Sequence, residues 1–347
     1  MAATDAPATL AELRTEFLES VREVTGVTVM NTLADRYLNT GLQDMHAERW
    51  WWAERRATIL THPTYSTGTI EIASTSRTAL RGAGTAWDTT IAGLGFANLR
   101  VGGKVSLGSD GTVYTVSGVT DGTNATLADR YIGNIAVASD LAAASASYVY
   151  YEDEYALESD FDDLLDVRFF DEDRKIKLVG PQEFYRIFAR NRERDEPTTA
   201  SLIELGPSGS VSLRRRIVFG PAPDTTYLIP YRYYTTNLAV SSAGVAAANL
   251  SATTDQPIVP LRYRMGIVYK AKARWYQDRK DDARMETAKS DYETLMLRAR
   301  QAAASGPADD RPRIVPQVAG YMAHARNPYV RRGTGLTTGT RWDRLQE

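Results

Sequence analysis

KVSLGSDGTVYTVSGVTDGTNATL, residues 104–127, decides how the middle of this chain folds. Lys104 to Leu107, Thr112 to Val119 and Ala125 to Leu127 read as short strands. Gly108-Ser109-Asp110-Gly111 and Asp121-Gly122-Thr123-Asn124 separate them as hairpin turns, because Gly and Asx residues accept the positive φ that tight turns demand. The same Gly, Thr, Ser, Ala and Val composition extends over residues 64–147, with Trp87, its single tryptophan, able to anchor a small core. This stretch is expected to be an all-β module inserted into another domain.

The flanks read differently. Leu10, Leu13, Phe17, Val21 and Val24 fall at helical spacing, with Thr9 or an earlier residue placed to cap and Gly26 to stop the helix. A second helix is expected from about Val29 to Arg56, ending in Trp50, Trp51 and Trp52. Consecutive residues point around a helix, so three adjacent rings cannot share one buried face. The triple tryptophan is therefore a candidate subunit interface, weighed against one thick core within the chain. After the module come a strand over Tyr148 to Leu157, a helical turn over Asp160 to Leu165, and strands near Val167 to Phe170 and Lys175 to Val179. Pro181 to Arg190 reads as a helix with Pro at its first turn. Strands follow at Ser201 to Leu205, Arg214 to Phe219 and Thr226 to Thr235, then an exposed loop of small residues from Asn237 to Thr254. Pro257 to Ala303 is strongly helical, with a joint at Gln277 to Asp282. The expected fold is α+β: a helical bundle with a small antiparallel β part (residues 1–63 and 148–303), the inserted β module, and an extended C-terminal arm over residues 304–347. The hexapeptide TLADRY occurs at 32–37 and again at 126–131, once in the expected helix and once at a strand end; the flanks do not match, so it is no repeat.

Composition bounds the function. The 347 residues are 43% hydrophobic and 24% charged, which fits a soluble globular protein. No apolar run is long enough to span a membrane, and MAATDAPATLAELRTEF lacks the basic-then-apolar pattern of a secretory leader. Cysteine is absent, so disulfides and thiolate sites are excluded. The formal net charge of −2 gives no basis for general nucleic-acid binding. Eleven acids and one base, Arg168, lie between Tyr150 and Asp173, and basic clusters follow at Arg174, Lys175 and Lys177, from Arg186 to Arg194, and at Arg214 to Arg216. Only seven of the forty-one basic residues are Lys, a bias that suits interfacial pairing but that a GC-rich genome also produces.

Catalytic patterns are sought and not found. His46, His62 and His324 share no ligand spacing. The sequence from Gly206 to Ser210 falls short of a nucleophile elbow, Gly102-Gly103-Lys104 lacks the rest of a phosphate loop, and Gly93-x-Gly95 is not continued into a dinucleotide fingerprint. The acids Glu152, Asp153, Glu154, Glu158, Asp160, Asp162, Asp163, Asp171, Glu172 and Asp173 are weighed as a glycosidase pair, a cation site, an anionic surface facing DNA, or a solvated face, the last being the default. No catalytic, cofactor or metal residue is assigned.

The C-terminal stretch from Gly306 to Glu347 has no helical or alternating period, and prolines at 307, 312, 316 and 328 break any helix. Arg313, Ile314, Val315, Val318, Tyr321, Met322, Arg326, Tyr329, Arg331, Arg332 and Trp342 are nevertheless the residue types that anchor interfaces. They read as an arm lying in a groove on another chain, against the alternative of a poorly ordered terminus.

Four patterns occur in order along the chain: the helix pair closing on QDMHAERWWW (43–52); YALESDF (155–161); IVFGPAPD (217–224) followed by YLIPYRYY (227–234); and the closing helices with Ala271, Trp275, Tyr276, Ala283, Tyr292 and Leu295. Together they resemble the head-to-tail adaptor (connector) family of tailed bacteriophages over most of Leu10 to Gln301. The module with GTAW (84–87) and GGKV (102–105) is similar to modules within some adaptors. The chain departs at Ser201 to Leu205, where aromatic and proline residues are common in relatives. The resemblance implies a homo-oligomeric ring, commonly dodecameric, in the neck of a virion assembled in the host cytoplasm. Helices would form its wall, the arm would reach the portal protein, tail or nozzle proteins would dock below, and packaged DNA would pass through without sequence-specific binding. The rival readings are a virion-associated cell-wall hydrolase using the acidic segment, and a minor tail or decoration protein whose β module binds a glycan.

Overall fold

The computed structural model describes residues 6–23, 27–72, 76–107, 112–132, 146–168, 174–189, 193–204 and 215–304. Contacts divide the chain into two units, residues 1–52 with 238–347, and residues 53–237.

Helix α1 (Leu10–Val21) starts where expected: Thr9 Oγ1 accepts from Glu12 N at 3.4 Å, while Glu12 Oε2 accepts from Ala8 N at 2.5 Å. Thr9 thereby satisfies one donor that the helix start leaves open, and Glu12 ties the preceding residue to the first turn. Helix α2 (Thr28–His46) ends ten residues before the expected Arg56. Arg49 turns the chain with a φ of 58°, and Trp51 to Ala53 form one 3₁₀ turn. The three indoles therefore do not ride α2. They stack on one another, Trp50 and Trp52 in parallel at 4.9 Å, with Trp51 edge-on to both.

In the second unit the chain runs through β1 (Glu54–Leu60), β2 (Thr69–Ile72), β3 (Ala79–Ala83), β4 (Lys104–Leu107), β5 (Val113–Val119), β6 (Asn124–Leu127) and β7 (Tyr148–Tyr151). It continues through β8 (Glu154–Ala156), β9 (Phe161–Val167), β10 (Lys177–Leu178), α3 (Pro181–Ile187), β11 (Thr199–Glu204), β12 (Arg215–Gly220) and β13 (Leu228–Thr235). Strands β2 to β7 make a six-stranded sheet in the order β2-β3-β6-β5-β4-β7. Its two ends meet, because Tyr65 and Tyr150 exchange backbone hydrogen bonds of 2.8 and 3.0 Å and Ile70 N donates to Ala146 O at 3.1 Å. The sheet so rolls around a core of its own, which includes Ile70, Ile72, Trp87, Val105, Tyr114, Val116 and Tyr148. Two further sheets, β1-β13-β9 and β10-β11-β12-β8, share a separate core containing Ile59, Tyr155, Phe161, Ile217, Phe219, Ile229 and Tyr231.

The first unit resumes with three short strands, β14 (Ala239–Val240) and β15 (Ala246–Ala247), both in the stretch expected to be an exposed loop, and β16 (Gln256–Pro257) just after it. Leu238, Ala239 and Leu250 are buried there. Helices α4 (Met265–Asp278) and α5 (Asp282–Ala304) follow, broken at the expected joint, where Lys280 takes a φ of 57°. Helix α4 packs on α1, α2 and α5, and Phe17, Tyr37 and Trp275 interlock edge to face around the contact.

The expectation of a helical bundle with a small β part is overturned: the described residues hold sixteen strands against five α-helices. Phe161 to Val167 shows the physical reason. Its sequence, FDDLLDV, suggests a helical turn, yet it hydrogen-bonds along β13 as an edge strand. Pairing with a partner some seventy residues away in sequence outweighs local preference there.

Gly41 permits the close approach of α2 and α4, since a Cβ at this position would lie 2.8 Å from Ile267 O and 2.9 Å from Ala271 N. Gly41→Ala is expected to destabilise the protein by about 1–3 kcal/mol in urea unfolding. Gly180→Ala, where a Cβ meets nothing within 4 Å, should stay within about 0.5 kcal/mol of wild type.

Candidate functional site

Strand β7 leads through Glu152 and Asp153 into β8, so the acidic stretch begins where the rolled sheet joins the paired sheets. Both carboxylates are buried, Asp153 to 1% exposure. A buried carboxylate needs a partner, and each has one. Arg100 forks onto Glu152, with Nε 2.8 Å from Oε1 and Nη2 on Oε2. Lys104 Nζ lies 2.6 Å from Asp153 Oδ2 and 3.4 Å from Glu154 Oε1, and Arg216 Nη1 stands 3.6 Å from the other oxygen of Glu154.

Tyrosines complete the joint. Tyr150 donates to Glu152 Oε1 at 2.6 Å, and its ring lies over Gly103, where a Cβ would sit 2.1 Å from the hydroxyl. Tyr155 accepts from His62 N at 3.0 Å and donates to the Glu152 carbonyl at 3.1 Å. Burial first, and the Glu152 charge second, push both phenols far above the ordinary tyrosine range, so both stay neutral donors. Burial opposes the Lys104 charge, yet Asp153 and Glu154 outweigh it and raise the ammonium above its usual value.

Further along the stretch, Asp160 takes Tyr233 OH at 2.9 Å and Thr235 Oγ1 at 2.6 Å, and Asp166 takes Arg168 Nε at 2.6 Å. The default reading of the stretch as a solvated face is thus corrected at Glu152 and Asp153, which lie inside the protein. Arg100 is the residue sequence reasoning missed, because it lies 52 positions from its partner with no local signal. Asp171, Glu172 and Asp173 lie outside the described residues.

Beside the joint an open cleft of ≈ 490 Å³ is lined by Thr58, Ile59 and Leu60 of β1, by Leu94, Phe96 and the segment 100–103, and by Glu154, Tyr155, Ala156 and Glu158. His62 stacks on Phe96 with ring centroids 5.1 Å apart, and its two ring nitrogens sit 2.6 Å from Pro63 O and 2.9 Å from Ala97 O. The cleft offers backbone edges and mixed charge. Among the described residues no group of three or more His, Asp or Glu side chains is arranged to hold a metal ion. No described helix is long and apolar enough to cross a membrane.

Of the residues assigned to partner binding, the described ones are Trp50, buried, and Trp51 and Trp52, half-buried, all three against the helical core, with Tyr263 packing on Trp51 and Trp52. Arg313, Ile314, Val315, Val318, Tyr321, Met322, Arg326, Tyr329, Arg331, Arg332 and Trp342 lie outside the described residues, as does His324.

Removing Lys104 leaves Asp153 charged and buried, so Lys104→Met is expected to cost about 3–5 kcal/mol of stability. Lys289→Met, which breaks an exposed pair with Glu286, should cost less than about 1 kcal/mol. A lysine raised in the folded state adds stability that is complete below its unfolded value of about 10.4 and fades as pH rises through the folded one. The Lys104→Met deficit should therefore be constant from about pH 6 to 9 and shrink only at strongly alkaline pH, measured by urea unfolding across that range. No family model matches this chain, and no curated protein is detectably similar to it.

Proposed function

We propose that the chain is a structural virion protein, a head-to-tail adaptor whose copies form a ring under the phage portal, extend the DNA channel and carry the tail. The observation that supports a structural use over a catalytic one is the fate of the acidic stretch. Glu152, Asp153 and Glu154 are tied to Arg100, Lys104 and Arg216, and Asp160 is tied to Tyr233 and Thr235. Carboxylates committed in this way hold strands in register, whereas a hydrolase needs one raised acid and one free base around an open substrate site.

The placement in the neck, the dodecameric count, the portal above and the tail or nozzle proteins below rest on the order of the four sequence patterns. In this reading the arm from Gly306 to Glu347 clamps the portal or the neighbouring subunit, and DNA passes without base-specific contact. Association in such a ring draws on apolar area and arginine pairing repeated at every subunit boundary.

Purified protein is expected to form rings by light scattering and electron microscopy and to bind isolated portal assemblies. Deletion of residues 306–347 should abolish portal binding while the helical and β signals in circular dichroism persist. A monomer that hydrolyses murein, and loses that activity on Asp or Glu substitution, would overturn the proposal. So would labelling that finds the protein on the particle away from the portal vertex.

A further inference from the structure

Among the described residues, the cleft beside β1 lies between two strand edges that have no ladder partner. In the order β1-β13-β9, β1 is an edge, and in β10-β11-β12-β8, β8 is an edge. Hydrogen-bond parity gives the direction of their free groups. Thr61 N donates to Tyr227 O, and Arg168 N donates to Pro230 O on the opposite side of β13. Backbone groups alternate along an antiparallel strand, so Arg55, Ala57 and Ile59 face β13, whereas Arg56, Thr58 and Leu60 turn outward. On β8, Leu157 N donates to Arg215 O and Phe219 N to Asp153 O. Glu154 and Ala156 consequently turn away from β12. Thr58, Leu60, Glu154 and Ala156 all line the cleft. Two rows of outward-facing backbone groups border the same space.

We infer that this cleft takes an extended strand from a second copy of the chain, the stretch from Arg313 to Val318 of the C-terminal arm, added to the edge of β1. The inference rests on the ring reading above and names the surface that receives the arm. Three features select this occupant. Forty-three residues, 305–347, follow α5, and at about 3.3 Å per extended residue Ile314 lies within roughly 30 Å of the helix end. In RIVPQV, Ile314, Pro316 and Val318 share one face of a strand and supply the apolar set that Leu60, Leu94 and Phe96 would cover. When Val315 and Gln317 turn their backbone to β1, Pro316 turns its missing N–H away from it, the position at which an added strand tolerates proline. Main-chain pairing supplies the binding, and the alternate apolar side chains supply the register.

The natural absence of cysteine makes the test direct. Full-length chain carrying both Thr58→Cys and Val315→Cys, assembled and then mildly oxidised, should give a ladder of covalently linked copies on a non-reducing gel. A mixture of the two single variants should give linked dimers. Thr120→Cys with Val315→Cys, which pairs the arm with an exposed turn outside the cleft, should give little product. Light scattering on the same samples separates the two levels of the argument. Assembled rings without the Thr58–Val315 link, or with as much Thr120–Val315 link, overturn this inference and leave the ring reading standing. A link only within single chains also overturns it, since the arm then occupies its own cleft. A protein monomeric before oxidation removes the ring reading and the inference with it.

Discussion

A module inserted into a sheet must leave and re-enter the host at neighbouring points, and in the 53–237 unit the exchange of backbone hydrogen bonds between Tyr65 and Tyr150 meets that constraint. It brings the outgoing chain after β1 to one strand spacing from the returning chain before β8. Everything around it follows from this closeness. Tyr150 can then lie on Gly103, Glu152 can reach Arg100, and Asp153 can reach Lys104. The ion pairs sit at the joint between the two separate cores. Charged groups at such a joint contribute register and angle more than net stability, since desolvation offsets much of their attraction.

The helices were largely legible in the sequence. Thr9, the spacing of Leu10, Leu13 and Phe17, and the polar break before Asp282 are local signals, and the elements appear at those positions. The hairpins between Lys104 and Leu127 were legible for the same reason, because Gly and Asx turns are read within a few residues. What could not be read is whatever long-range pairing decides. FDDLLDV becomes a strand only because β13 lies beside it, and the tryptophan run lies outside α2 because Arg49 turns the chain before it. Underestimating these effects is what made the expected β part small.

The hexapeptide TLADRY isolates the effect of context. In α2 its Leu33 and Tyr37 are only half-buried, and Tyr37 completes an aromatic group with Phe17 and Trp275. In the second copy Leu127 ends β6 and is buried, while Tyr131 packs on Tyr114 beyond the strand. Identical local propensity yields a helix face in one place and a strand end in the other. The candidate site shows the same limit: the acidic half was visible as a charge run, but its cationic half was scattered over Arg100, Lys104 and Arg216 and became a site only through topology.

The two sheet systems of the same unit treat their edges in opposite ways. The rolled sheet joins its ends, with Tyr65 on Tyr150 and Ile70 on Ala146. Among the described residues, the paired sheets instead leave the outer edge of β1 without a ladder partner, with Arg55 capping the Glu54 carbonyl and Arg56 exposed beside it. Charged residues at one end of an edge discourage random pairing without blocking a matched strand. The other end, Thr58 to Leu60, carries no charge and faces β8 across a cleft whose walls are apolar at Leu60, Leu94 and Phe96. An edge charged at one end and uncharged at the other presents unequal ends to an incoming strand, which is the asymmetry the proposed pairing uses.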